Sequence, residues 1–233
     1  SVRKTTFLLL LILLTAAILR FYQVNSNPKA MYGDGMTLVY DAYSILKTGQ
    51  DQRGNSLPLI FPLGGGRPGG YIYATVPFVA LLGPTALAAG LVSVLSGIGI
   101  VFLLFLLGKE LISEGVGLAI AAIATLNPWE LSMSRGPFES HFALFLMLLG
   151  FYSFLRGLKQ KYWFLLFGIS FALAAQTYST YKLIVPLFAS MLLVWIRIST
   201  GSSIGIRSRI GSILKYLKKP VFLFSLIIIV AST

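Results

Sequence analysis

Seven apolar stretches, separated by segments that hold most of the charge, constrain this chain more than any other feature. They run near Thr6–Leu19, Thr85–Leu107, Gly115–Leu126, Pro137–Phe154, Trp163–Ala175, Leu183–Ile196 and Pro220–Val230. An apolar stretch of ~18 residues or more reads as a membrane-spanning helix. The second stretch is the longest. The first, third, fifth and sixth are short, although aromatic and hydroxyl flanks lengthen them, and the last is cut off by the end of the chain. Only 11% of the residues are charged, where a soluble domain carries roughly a quarter. The expected fold is therefore all-α: a polytopic transmembrane helical bundle of about seven spans. Residues 1–233 form a single membrane-embedded domain in this reading. The chain begins with Ser and stops inside an apolar run at Thr233, so a fragment of a longer protein is expected.

Charge distribution sets the expected orientation. With the N-terminus placed inside and the spans alternating, twelve of the nineteen Lys and Arg residues fall on the cytoplasmic side, with Glu110 and Glu114. The outer side takes Arg20, Lys29, Lys47, Arg53, Arg67, Arg135 and Lys182, together with Asp34, Asp41, Asp51, Glu130 and Glu139. An excess of Lys and Arg marks the cytoplasmic side. The net charge of +12 is accordingly read as topology and contact with anionic membrane lipids, not nucleic-acid binding. The localisation expected is an integral membrane protein, in the plasma membrane of a prokaryote, with a cytoplasmic N-terminus. The first stretch has the basic start and short core of a signal peptide. It is read as an uncleaved helix whose outer end is anchored by Arg20 and Tyr22.

Several chemistries drop out. There is no cysteine and one histidine, His141, which rules out disulfides and a His-rich metal site in this chain. Gly64 to Gly70 is rich in glycine, but no Lys-Ser/Thr follows and no strand-to-helix context surrounds it, so it is not a phosphate-binding loop. It is read as a flexible segment of a substrate cleft.

The long connection from Phe21 to Pro84 carries structure of its own, since loops of that length are uncommon. Leu38, Val39, Ala42, Ile45 and Leu46 make one apolar stripe at helical spacing. Tyr71–Leu82 is a second apolar stretch, too short to cross and return. Both are expected as amphipathic helices lying on the outer membrane surface. Asp34 and Asp41 are seven residues apart, which places them on one side of a continuous helix.

Asp34 has two readings that can hold together. A carboxylate at the membrane face can take a proton from an attacking hydroxyl; an Asp just before a helix can also cap it, accepting the N–H of Met36 or Thr37. Asp41 reads as a solvated flank of the same helix, or as a contact to acceptor or metal. Asp51 reads as a turn residue. Around the fourth stretch, Pro137 fits the first helical position and Glu139 the third. Arg135, Glu139 and His141 meet there at the mouth of a membrane cavity, Arg135 being suited to a phosphate. Lys182 follows six hydrogen-bonding side chains, Gln176 to Tyr181, and offers a point charge for a lipid phosphate.

Four stretches together resemble the GT-C superfamily of membrane glycosyltransferases. The closest likeness is to the dolichyl-phosphate-mannose–protein mannosyltransferase-like group, relatives of the protein O-mannosyltransferases and aminoarabinose transferases. The stretches are Gly33-Asp34 with Tyr40 to Asp51 and Leu57-Pro58-Leu59; Tyr71-Ile72-Tyr73 with Val76-Pro77; Asn127-Pro128-Trp129 with Ser134-Arg135 and Phe138-Glu139; and Tyr178 to Lys182. Gly35 stands where the family's Asp-Glu pair has Glu, and Gly90 where it tends to have Arg. The resemblance implies an inverting transfer from a polyprenyl-phosphate sugar donor to a hydroxyl of a protein, lipid or glycan acceptor at the outer face. Asp34 would be the base, Arg135 and Lys182 the donor-phosphate contacts, and Glu139, His141 and Asp41 contacts to acceptor or metal. No cofactor is certain; a divalent metal is the one left open. The rival expectation is a transporter or a non-catalytic membrane subunit.

Overall fold

The computed structural model describes residues 2–22, 24, 33–62 and 65–201. Nine helices and a two-stranded ribbon are found among them: α1 Val2–Phe21, α2 Gly33–Thr48, β1 Ile60–Phe61, β2 Arg67–Pro68, α3 Gly70–Leu82, α4 Ala86–Leu111, α5 Glu114–Leu126, α6 Pro128–Arg135, α7 Glu139–Gly157, α8 Trp163–Ala175 and α9 Tyr181–Gly201. Three helices, from Arg3 to Phe21, Ala86 to Leu111 and Glu139 to Gly157, are long and apolar enough to cross a membrane. A fourth crossing results if α5 and α6, bent by 62° at their junction, count as one broken span. The stretch Pro220–Val230 lies outside the described residues.

Local sequence chemistry sets the helix ends. Thr85 caps α4 by accepting the Ala88 N–H at 3.2 Å, and Ser113 caps α5 by accepting that of Val116 at 3.3 Å. Asn127 caps α6, taking the N–H groups of Trp129 and Glu130, while Pro128 occupies the first helical position, where no N–H is required. This cap starts a new helix in a new direction and so produces the bend. The expected start of α7 needs correction: Phe138 is its cap residue and Glu139 its first residue, with Pro137 outside. Glu139 still sits in the first turn, where negative charge is favoured.

Three apolar clusters fill the bundle. Phe154, Phe164, Phe167, Phe171 and Val185 join α7, α8 and α9. Ala16, Val101, Phe105 and Ala121 join α1, α4 and α5. Leu38, Val39, Ala42 and Ile45 of α2 pack with Phe61, Tyr71, Ile72, Val79, Ala88, Ala89 and Val92. That third cluster changes the expectation for the first connection. The stripe on α2 is buried against α3 and α4, so it covers protein, and of its five residues only Leu46 remains exposed.

Small residues allow close helix approach, the usual device where apolar surface alone gives no preference between lipid and protein. A Cβ on Gly150 would stand 2.4 Å from Phe171 Cδ1, and one on Gly157 would stand 2.7 Å from Phe164 Cδ1. The two pairs lie one heptad apart in opposite chain directions, which fixes the antiparallel register of α7 and α8. Gly108 and Gly117 meet in the same way between α4 and α5.

Charges sort to the two ends of the bundle. At the end holding the start of α1, Thr5 donates to Glu114 at 2.9 Å, Lys109 pairs with Glu114 at 2.6 Å, and Arg156 and Lys159 both pair with Glu110. The remaining ion pairs lie at the opposite end. Overpacking a core by a few methyl groups costs about 1–3 kcal/mol. Gly150→Val is therefore expected to lower the unfolding midpoint of the detergent-solubilised protein clearly. Gly115→Ala, whose added Cβ would meet nothing within 4 Å, is expected to leave that midpoint essentially unchanged.

Candidate active site

Two ion-paired groups meet the first turn of α7, one through Glu139 and the other through His141. In the first, Arg67 on β2 links two helices. Its Nε lies 2.9 Å from Glu139 Oε1 and its NH2 lies 3.5 Å from Asp34 Oδ1, while its NH1 donates to the backbone carbonyl of Asp34 at 3.0 Å. The Nε–H is not aligned on the Glu139 oxygen, so that contact is an ion pair without a hydrogen bond. Arg67 and Glu139 are largely buried, whereas the Asp34 side chain is 86% exposed.

Asp34 is not the helix cap. The helix begins at Gly33, so Asp34 falls in the first turn, and among the described residues no backbone N–H is donated to its carboxylate. It is open, and its partner is Arg67. Asp41 departs from its expected solvated position: it is buried at 5% exposure and accepts the Gln52 N–H at 3.2 Å, tying α2 to the following loop. Burial pushes its carboxyl above the usual range, and the charge of Asp51 adds to this, against the opposing pull of Gln52 and Arg67. Arg67 pairs with Asp34, and its charge also acts on Asp41. Asp51 closes its turn by accepting the N–H groups of Arg53 at 2.8 Å and Asn55 at 2.9 Å and the Asn55 side-chain amide at 2.8 Å. Burial works the other way, but these bonds, with the charge of Arg53, hold its carboxyl below the usual range.

The second group is Arg20, Glu130 and His141. Arg20 NH2 lies 3.6 Å and His141 Nε2 lies 3.5 Å from the same oxygen, Glu130 Oε1. Arg20 is fully buried and does not anchor a helix end at the membrane surface as expected. The reason is Gly97, where a Cβ would stand 2.6 Å from Arg20 Nε: the missing side chain leaves a slot in α4 that the guanidinium fills. Arg135 donates through NH2 to the carbonyl of Tyr22, and its own carbonyl lies beside Gly90 of α4.

The expected site residues are therefore placed as follows. Asp34 and Glu139 meet through Arg67, with Asp41 behind them. His141 belongs to the neighbouring group. Arg135 holds the end of α1. Lys182 lies at the start of α9 and makes no ion pair among the described residues. The turn before it reaches the start of α3, two residues past the ribbon, since the Gly70 N–H donates to the Gln176 carbonyl at 2.8 Å. No group of three or more His, Asp or Glu side chains that could hold a metal ion is found among the described residues. Phe142, one turn along α7 from Glu139, lines two apolar cavities of about 440 and about 200 Å³, both of which also touch Ala74 of α3.

Arg67 and Glu130 were not singled out by sequence, and Arg20 was read only as a surface anchor. For Glu130 the signal was present, since Asn127-Pro128-x-Glu130 is helix-start chemistry. Comparison with protein-family models finds no match, and comparison with curated proteins finds none either.

Removing one partner from a buried pair costs about 3–5 kcal/mol. Arg20→Leu is expected to show a loss of that order in denaturant unfolding, and the double variant Arg20→Leu/Glu130→Leu to recover most of it. For Asp41 the sign is set by a folded-state pKa above the unfolded one. Its contribution to stability is present below the ordinary carboxylate range and lost as pH rises through the raised value. Asp41→Asn should remove that fall from the pH dependence of the unfolding midpoint, while keeping an acceptor for Gln52.

Proposed function

We propose that the chain is a GT-C-type inverting glycosyltransferase, moving a sugar from a polyprenyl-phosphate donor to an acceptor hydroxyl of a protein, lipid or glycan. The observation that carries this reading is the open Asp34 carboxylate. It is held by Arg67 beside Glu139, at the same end of an apolar bundle as Arg135. In the proposed step Asp34 takes the proton of the acceptor hydroxyl as its oxygen bonds to the anomeric carbon from the face opposite the phosphate. The bond from that carbon to the phosphate oxygen breaks, and its electron pair leaves with the polyprenyl phosphate. A phosphate leaves as a stable anion, so the second carboxylic acid that a glycosidase uses to protonate its leaving group is not needed. Arg135 and Lys182 are the proposed phosphate contacts. The apolar cavities beside Phe142 suit the hydrocarbon part of a lipid donor. The proposed setting is the outer face of a prokaryotic plasma membrane, with the N-terminus inside and about seven spans in all.

A second reading, a transporter, is favoured by one feature. The α5–α6 pair is a broken apolar helix, and it places Glu130 against buried Arg20 and His141. Discontinuous helices and buried ionisable groups mark substrate and ion sites in transporters.

Sugar transfer from a polyprenyl-phosphate donor by membranes holding the parent protein or its Asp34→Asn variant separates the two readings. A positioned general base contributes about a hundred- to ten-thousandfold. Asp34→Asn is expected to lose transfer by that factor at unchanged expression. Transfer retained by the variant would remove Asp34 from the mechanism. Substrate flux in sealed vesicles, without transfer, would establish the second reading.

A further inference from the structure

Among the described ion pairs, the Asp34–Arg67–Glu139 group sets a largely buried guanidinium beside an exposed carboxylate. Arg67 has five N–H groups in a fixed fork. NH1 is committed to the Asp34 carbonyl and Nε faces Glu139. NH2 has no hydrogen-bond partner among the described residues and stands 3.5 Å from the exposed Oδ1 of Asp34. The backbone on both sides of Arg67 is held. Phe61 pairs across the ribbon from Arg67, Gly69 donates its N–H to the Leu59 carbonyl at 2.9 Å, and Gly70 is tied to Gln176. What meets this edge meets a guanidinium N–H beside an open carboxylate.

A hydroxyl satisfies both groups at once. Its proton is donated to Asp34 Oδ1 while its oxygen accepts from Arg67 NH2. An ionised phosphate oxygen only accepts, so it gains one contact and is repelled by the other. The local charge sharpens the difference. Two carboxylates, Asp34 and Glu139, pair directly with one guanidinium, and a third, Asp41, lies within its electrostatic reach. The charge of Arg53, in the loop after α2, acts on Asp51. Among the described residues, carboxylates outnumber the guanidinium they pair with.

We infer that this group is an acceptor-selecting element: it takes a hydroxyl on an uncharged acceptor and rejects an acceptor whose reacting group is, or adjoins, a phosphate. The inference rests on the transferase reading and narrows it. The donor phosphate then belongs on the far side of the sugar, towards Arg135. Glu139 acts as a specificity residue through Arg67, because it neutralises the guanidinium that would otherwise attract an anion.

The test is direct binding of methyl glucoside and of its phosphate monoester to the full chain in nanodiscs, followed by saturation-transfer NMR. The neutral probe is expected to bind about tenfold or more tightly than the ester at low salt. The gap should narrow at about 0.5 M salt, where exposed charges are screened. Asp34→Asn, at an exposed position, should weaken the neutral probe, and Glu139→Gln should bring the ester to within about twofold of it. Equal or tighter binding of the ester by the parent, a ratio untouched by Glu139→Gln, or a neutral probe that ignores Asp34→Asn would each overturn the inference. The two proposals fail separately. Discrimination in binding without any sugar transfer refutes the transferase and leaves the selectivity of the site. Transfer that proceeds equally to hydroxyl and phosphate acceptors refutes the selectivity and leaves the transferase.

Discussion

A guanidinium taken out of water inside an apolar bundle must be paired, and the placement of Arg20 organises much of the structure around that requirement. Its slot exists because position 97 of α4 has no side chain. Its counter-ion, Glu130, arrives from a helix that has turned by 62° away from α5. His141 reaches the same carboxylate oxygen from α7. One charge therefore fixes α1, α4, α6 and α7 relative to one another at a single end of the molecule. Truncating one member leaves the other buried without a partner, which is the expensive way to break such a contact. The cap at Asn127 and the proline after it are what turn the chain so that Glu130 can answer Arg20.

The same cost explains the sorting of charge. The ion pairs at the start of α1, Lys109–Glu114 and Arg156–Glu110–Lys159, are half-exposed links between neighbouring helix ends, and links of that kind contribute little each. The far end is different: Arg20, Arg67, Glu130, Glu139 and His141 are largely buried there, and only the Asp34 carboxylate is left open. The far end is assembled from α1, α2, the ribbon, α6, α7 and the turn before α9.

Much of this was legible from residue spacing, and the limits of that reading have physical causes. The apolar stretches correspond to helices wherever they are described, because long apolar runs leave the backbone no other way to satisfy its hydrogen bonds in lipid. Periodicity found α2 and its stripe, and it placed Asp34 and Asp41 on one side. Periodicity names the face that is covered and is silent on what covers it, so the stripe was assigned to the membrane surface when α3 and α4 bury it. Arg20 was read as a surface anchor because its slot is created by a glycine 77 residues away in sequence. The Asp34 cap failed by one position, the helix starting at Gly33. Arg67 carried no local signal at all. Its partners come from Asp34 and Glu139, and only the fold brings those together.

The glycine-rich segment around Arg67 makes the last point. Composition read it as mobile, since glycine frees the backbone. Here the described glycines do a different job. Gly66 takes φ 116°, a left-handed conformation that other residues rarely adopt, with Ile60 Cγ2 only 3.2 Å from where a Cβ would be. Gly69 leaves space filled by the rings of Phe61 and Tyr73, and Gly70 lies against Thr177. Absent side chains thus allow contacts too close for any other residue, and those contacts pin the ribbon on both sides of Arg67. A guanidinium on a free loop would have to be ordered again each time a ligand arrived. One set into a packed ribbon between two helix starts has its backbone ordered beforehand, so only the side chain itself is left to be aligned.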